Sequence, residues 1–113
     1  MLDLIIKNGK CYIDGQLKDV NISVKDGKIQ KIGQITEDAK DTIDASGLIV
    51  LPGCMDTQTH FREPGSTDTE DLHSGSRAAI VGGITSVFEM PNTNPPTSTK
   101  KEFQRKLDLA KNR

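Results

Sequence analysis

The sequence predicts an α/β chain in two parts: a small, incomplete β-sandwich-like domain over residues 1–52, and the first strand–helix units of a parallel sheet or barrel over residues 53–113. Three observations carry this expectation. Short apolar runs in the first half are punctuated by Asn8-Gly9, Asp14-Gly15 and Asp26-Gly27, dipeptides that tolerate the positive φ of tight hairpin turns. Past Leu51-Pro52-Gly53 the pattern becomes strand, helix, strand, helix. The length of 113 residues with 34% hydrophobic content supports one modest core, whereas a complete (β/α)8 barrel takes about 250 residues.

Residues 2–6 read as the first strand and residues 10–13 as the second. In the third, residues 20–24, Val20, Ile22 and Val24 share one face at period two, and Ile29 and Ile32 continue the return strand. After the polar stretch 36–41, residues 42–45 and 48–51 read as two more short strands joined at Ser46-Gly47. The texture is that of antiparallel hairpins, with one side of the sheet wanting a partner. In the second half, residues 54–60 read as a strand, and residues 70–81 as a helix stopped by Gly82-Gly83. Residues 84–90 read as a strand stopped by Pro91. The last helix opens with the capping box Thr99-Lys100-Lys101-Glu102 and carries Phe103, Leu107 and Ala110 on one stripe.

Charge and composition remove several classes of function. Fifteen Lys and Arg against 16 Asp and Glu give a formal net charge of −1, which suits neither a nucleic-acid arm nor a polybasic membrane anchor. The basic residues of the last helix, Lys100, Lys101, Arg105, Lys106, Lys111 and Arg113, are interleaved with Glu102 and Asp108, so the helix reads as a solvated face. Residues 1–7 are interrupted by Asp3 and closed by Lys7, so they form neither a signal segment nor a membrane span, and a cytoplasmic protein is expected. Cys11 and Cys54 have no metal-knuckle spacing and read as reduced structural thiols.

The residues with chemical potential cluster in Asp56-Thr57-Gln58-Thr59-His60-Phe61-Arg62-Glu63-Pro64-Gly65. On an ideal strand Asp56, Gln58 and His60 share a face, and His60 stands at the C-terminal end, where barrel active sites open. A neutral imidazole there can serve a metal. Alone, such a histidine is more readily explained by ordinary hydrogen bonding than by a metal. His73 falls on the first predicted helix and reads as solvated, and Asn94 reads as a turn residue.

The run from Leu51 through Gly65 resembles the first-strand signature of cyclic amidohydrolases, and its His60-Phe61-Arg62-Glu63-Pro64-Gly65 is similar to that of dihydroorotase. A second block, from Glu70-Asp71-Leu72 through Gly82-Gly83-Ile84-Thr85 to Met90-Pro91-Asn92-Thr93-Asn94-Pro95-Pro96, resembles the same family. Ile5-Ile6-Lys7-Asn8-Gly9 and Asp26-Gly27-Lys28-Ile29 resemble its small β domain. Hydantoinase-like relatives share the first motif more loosely, and allantoinases usually carry Asn at the position of Arg62.

The resemblance implies the start of a metal-dependent (β/α)8 barrel and a dihydroorotase that interconverts N-carbamoyl-aspartate and dihydroorotate in pyrimidine biosynthesis. Zinc would polarise the amide carbonyl and activate water. It further implies His60 and Gln58 at the metal, Arg62 and Asn92 on the substrate, and no catalytic acid or base within these residues. Gln58 stands where the family's His-x-His pair has its first imidazole, and an amide oxygen is a harder, weaker donor for zinc. That departure leaves open a catalytically silent dihydroorotase-like structural subunit, alongside another cyclic amidohydrolase such as hydantoinase or allantoinase. The resemblance also implies a homo-oligomer, through an apolar face of the small β domain left partly uncovered, and aspartate carbamoyltransferase as a partner.

Overall fold

The computed structural model describes residues 1–113. In chain order the elements are β1 (Leu2–Lys7), β2 (Lys10–Ile13), β3 (Gln16–Asp19), β4 (Asn21–Lys25), β5 (Lys28–Gly33), β6 (Ala39–Asp44), β7 (Ile49–Val50), β8 (Cys54–Thr59), α1 (Leu72–Val81), β9 (Ile84–Glu89) and α2 (Lys100–Ala110). They fall into two units, Met1–Pro52 and Gly53–Arg113.

The first unit holds a four-stranded sheet in the order β5-β4-β1-β6 and a three-stranded sheet in the order β3-β2-β7. Two of the three expected hairpins form. Asp14 and Gly15 join β2 to β3, and Asp26 and Gly27 join β4 to β5, all four residues at positive φ. Asn8-Gly9 makes no hairpin, because β1 pairs with β4 and β6 while β2 lies in the other sheet. Gly9 answers a packing demand instead: a Cβ there would stand 2.7 Å from Val50 Cγ2 and 2.8 Å from the Ala45 Cβ.

The antiparallel texture is also only part of the pattern. β1 pairs in parallel with β6, and β2 in parallel with β7, because the chain returns after the second hairpin to close each sheet. Between the sheets, Cys11 is 1% exposed and donates its thiol to the Val20 carbonyl at 3.2 Å. Cys11, Ile13 and Val50 from one sheet and Ile22, Ile29 and Ile32 from the other line a cleft of about 150 Å³. That is the sandwich arrangement, loosely filled. On β4 the buried residue is Ser23, whereas Ile22 and Val24 are half-buried, which inverts the period-two expectation.

The second unit is the parallel pair β8-β9 with α1 in the crossover and α2 following. α1 begins at Leu72 rather than Glu70, since Asp71 is its N-cap: the carboxylate accepts from Ser74 N, and the Ser74 hydroxyl accepts from Asp71 N, a reciprocal capping box. Only half of the expected box forms on α2, where Thr99 Oγ1 accepts from Glu102 N at 3.2 Å. The Glu102 carboxylate is turned toward Arg105 at 3.8 Å. Phe103, Leu107 and Ala110 line a cleft of about 490 Å³ with Phe61, Leu72 and Val87. Cys54, expected to be structural, is exposed at the start of β8. No helix is long and apolar enough to cross a membrane.

Candidate active site

β8 and β9 end side by side, and the loops that follow them carry the candidate residues. Their parallel register shifts between Asp56 and Thr59, pairing Asp56 with Val87 and Thr59 with Glu89, so three residues on β8 span two on β9. The Asp56 carboxylate accepts from Gln58 N at 2.9 Å inside this irregularity. The strict alternation that would aim Asp56, Gln58 and His60 together is therefore interrupted: Asp56 and Thr59 are half-buried, Gln58 is exposed, and His60 lies just past the strand end.

Beyond the strands the two loops clasp each other. Met90 N donates to the Thr59 carbonyl at 2.8 Å, and Asn94 N to the Pro64 carbonyl at 3.0 Å. Between these rungs His60 Nδ1 and Asn92 Oδ1 lie 2.9 Å apart. Gly65, at φ 119°, lets the loops approach, since a Cβ there would meet the Asn94 Cβ at 2.8 Å. Ser66 N closes the first loop onto the Arg62 carbonyl at 2.9 Å. The structure thus joins His60 to Asn92, and neither Gln58 nor Arg62, both exposed, enters that contact.

Two carboxylates that sequence reasoning passed over anchor this arrangement. Glu63, 6% exposed, accepts from Leu72 N at 2.9 Å and from Arg113 Nη1 at 2.6 Å, tying the His60 loop to the start of α1 and to the segment that follows α2. Glu89, at the end of β9, receives Lys106 Nζ at 2.5 Å, and the same ammonium donates to the Met90 carbonyl at 3.3 Å. Lys106 is therefore buried and not part of the solvated basic face. The signal was present, because positions 103, 106, 107 and 110 form one helical stripe. His73 is exposed on α1. Beside it, hydrogen bonds from the Ser74 N–H and hydroxyl hold the Asp71 carboxyl below its ordinary 3.8.

The His60 ring is exposed and its Nδ1 already has a partner, which leaves Nε2 open to a ligand such as zinc. Gln58 offers only an amide oxygen, and no group of three or more His, Cys, Asp or Glu side chains converges in the chain.

Residues 49–111 match the Amidohydrolase family. Over 110 residues, 96% of this chain, the sequence is 50% identical to the allantoinase of Escherichia coli O1:K1 / APEC, of which it covers 24%. The fold superposes with a TM-score of 0.87 and 37% identity on the L-hydantoinase (dihydropyrimidinase) of Arthrobacter aurescens, covering 97% of this chain and 25% of that one. It also resembles the N-acyl-D-glutamate deacylase of Bordetella bronchiseptica, solved with zinc and a phosphonate inhibitor, at a TM-score of 0.61 and 30% identity, covering 76% of this chain and 18% of that one. The chain spans about a quarter of the length of the curated relatives it matches.

These likenesses correct the dihydroorotase expectation, and pyrimidine biosynthesis with it: the relatives are named allantoinase and hydantoinase. Arg62 does not exclude them, because identity spread over nearly the whole chain outweighs one loop position. What both the motifs and the fold establish is the wider grouping, with its β-rich N-terminal domain and (β/α)8 architecture. The chain belongs to the Amidohydrolase family.

Proposed function

We propose that these residues supply the small β domain (1–52) and the first two strand–helix units (53–113) of a cyclic amidohydrolase that hydrolyses allantoin or a related hydantoin ring. The observation that carries this is the 50% identity to an allantoinase over 96% of the chain. The placement of His60 and Asn92 where two parallel strands end supports it, since barrel active sites open on that face. His60, through Nε2, and Gln58, through its amide oxygen, would hold zinc. When bound, zinc supplies a Lewis acid for the ring carbonyl and an activated water. Arg62 would bind the substrate: its guanidinium carries only donors, which suits carbonyl oxygens as well as a carboxylate. Asn92 would donate through Nδ2.

A homo-oligomer belongs to the same proposal, supported by Ile29, Leu48 and Ile49 on the first unit, each about three-fifths exposed. So does a cytoplasmic location, which the two free cysteines favour. With dihydroorotase overturned, aspartate carbamoyltransferase loses the resemblance that implied it. A catalytically silent amidohydrolase-like subunit is the second reading, and Gln58 in place of an imidazole is the observation that favours it.

The test offers allantoin, a 5-substituted hydantoin and dihydroorotate to the longest natural product containing these residues, with zinc added. Hydrolysis of allantoin or the hydantoin, lost in His60→Ala, is expected. Turnover of dihydroorotate alone overturns the proposal, and no turnover with zinc retained establishes the silent subunit.

A further inference from the structure

The contact between His60 and Asn92 decides more than the position of a ring. Neutral imidazole carries one N–H, and which nitrogen holds it determines which nitrogen keeps a lone pair. Asn92 presents Oδ1, which can only accept, to His60 Nδ1 at 2.9 Å. The pair bonds in this orientation only if Nδ1 carries the proton. Backbone rungs bracket the contact, Met90 N to the Thr59 carbonyl on one side and Asn94 N to the Pro64 carbonyl on the other. Thr97 N to the Pro91 carbonyl, at 2.9 Å, folds the second loop onto itself around Asn92. Both side chains are exposed, so what holds them in register is this double-sided backbone clasp and not burial.

We propose that Asn92 is a positioning residue that sets the tautomer of His60. With Oδ1 accepting from Nδ1–H, the Nε2 lone pair faces away from the protein contact, free for a metal. The same bond fixes the amide of Asn92, so that Nδ2 and its two donors point away from His60 and remain for a substrate oxygen. One hydrogen bond thereby couples the ligand atom of the metal site to a donor of the substrate site. The metal and substrate halves of this inference rest on the function proposed above, whereas the tautomer does not.

The test uses the 113-residue chain, labelled with 15N at histidine, at a pH where the imidazole is neutral. Long-range 1H–15N correlations report the tautomer of His60, with His73 as the exposed internal reference. Wild type is expected to show the Nδ1–H form. Asn92→Asp keeps an acceptor and should preserve it, and Asn92→Ala should shift His60 to the Nε2–H form that free histidine favours in water. A wild-type His60 in the Nε2–H form, or one unchanged by Asn92→Ala, overturns the proposal. Zinc alone is then titrated while the His60 signals are followed, and half-saturation in Asn92→Ala should need about tenfold more zinc or beyond, as for loss of a partner behind a ligating histidine. If the tautomer shifts but zinc leaves His60 unaffected in wild type, the positioning role stands and the metal assignment fails.

Discussion

The buried pair between α2 and the end of β9 is the interaction whose loss should be felt most. Lys106 and Glu89 side chains are 10% and 15% exposed, and Nζ reaches both Glu89 Oε2 at 2.5 Å and the Met90 carbonyl at 3.3 Å. Glu89 Oε1 is buried without a hydrogen-bond partner, so the carboxylate depends on this one ammonium. Lys106→Met keeps an apolar stem in the cleft that Phe103 and Leu107 also line but strands a carboxylate and a carbonyl. Breaking one side of a fully buried pair costs about 3–5 kcal/mol; the residual exposure here brings the expected loss to the lower end, about 3 kcal/mol. Removing both charges in Lys106→Met/Glu89→Gln should cost less than either single change, because no unpaired ion remains. Urea unfolding followed by far-ultraviolet circular dichroism, run as a double-mutant cycle, isolates the coupling. Additive changes, or a Lys106→Met midpoint equal to wild type, would refute the reasoning.

Gly9→Ala should lower the melting temperature, since its Cβ would press on Val50 and Ala45; overpacking of this kind costs about 1–3 kcal/mol. Val50→Ala in the same chain should restore part of the loss, and a melting temperature unchanged by Gly9→Ala would refute the contact. The Asp71 carboxyl, lowered first by the Ser74 N–H and then by its hydroxyl, contributes stability that is complete above the unfolded-state value of 3.8 and lost as pH falls through the lower folded value. Asp71→Asn, which keeps an acceptor without the charge, should therefore flatten the decline in urea midpoint below about pH 4. Gln58→His should increase the zinc retained after dialysis and His60→Ala should decrease it; zinc content unchanged from wild type in both variants would remove the two residues from the metal site.

What the sequence showed about the fold was its local part. Asp14-Gly15 and Asp26-Gly27 announce hairpins because a turn's φ preference is carried by the two residues that make it. Asn8-Gly9 carries the same signal for another reason, with Gly9 small so that Ala45 and Val50 can approach. Turn chemistry records a backbone angle and not the strand that lies alongside. The parallel pairings of β1 with β6 and β2 with β7 leave no such local mark, and β3 is hidden because Leu17 is the only apolar residue in Gln16–Asp19. Its strand form comes from its register with β2.

The candidate site divides along the same line. His60 and Asn92 stand out singly, each at the end of a strand-like run, but they are 32 positions apart and only the pairing of β8 with β9 makes them neighbours. The motif around His60 was informative about the family and misleading about the substrate, and the structure shows why one motif does both. Its residues serve demands of the local fold. His60 sits at the strand end, Glu63 caps α1 through Leu72 N, and Gly65 admits the second loop. Under the function proposed above, discrimination between rings of similar size would fall instead to donors such as Arg62 and Asn92. A guanidinium can donate to a carboxylate and to a carbonyl oxygen alike, so the presence of Arg62 alone does not separate dihydroorotate from a hydantoin, whereas agreement along nearly the whole chain can separate their families.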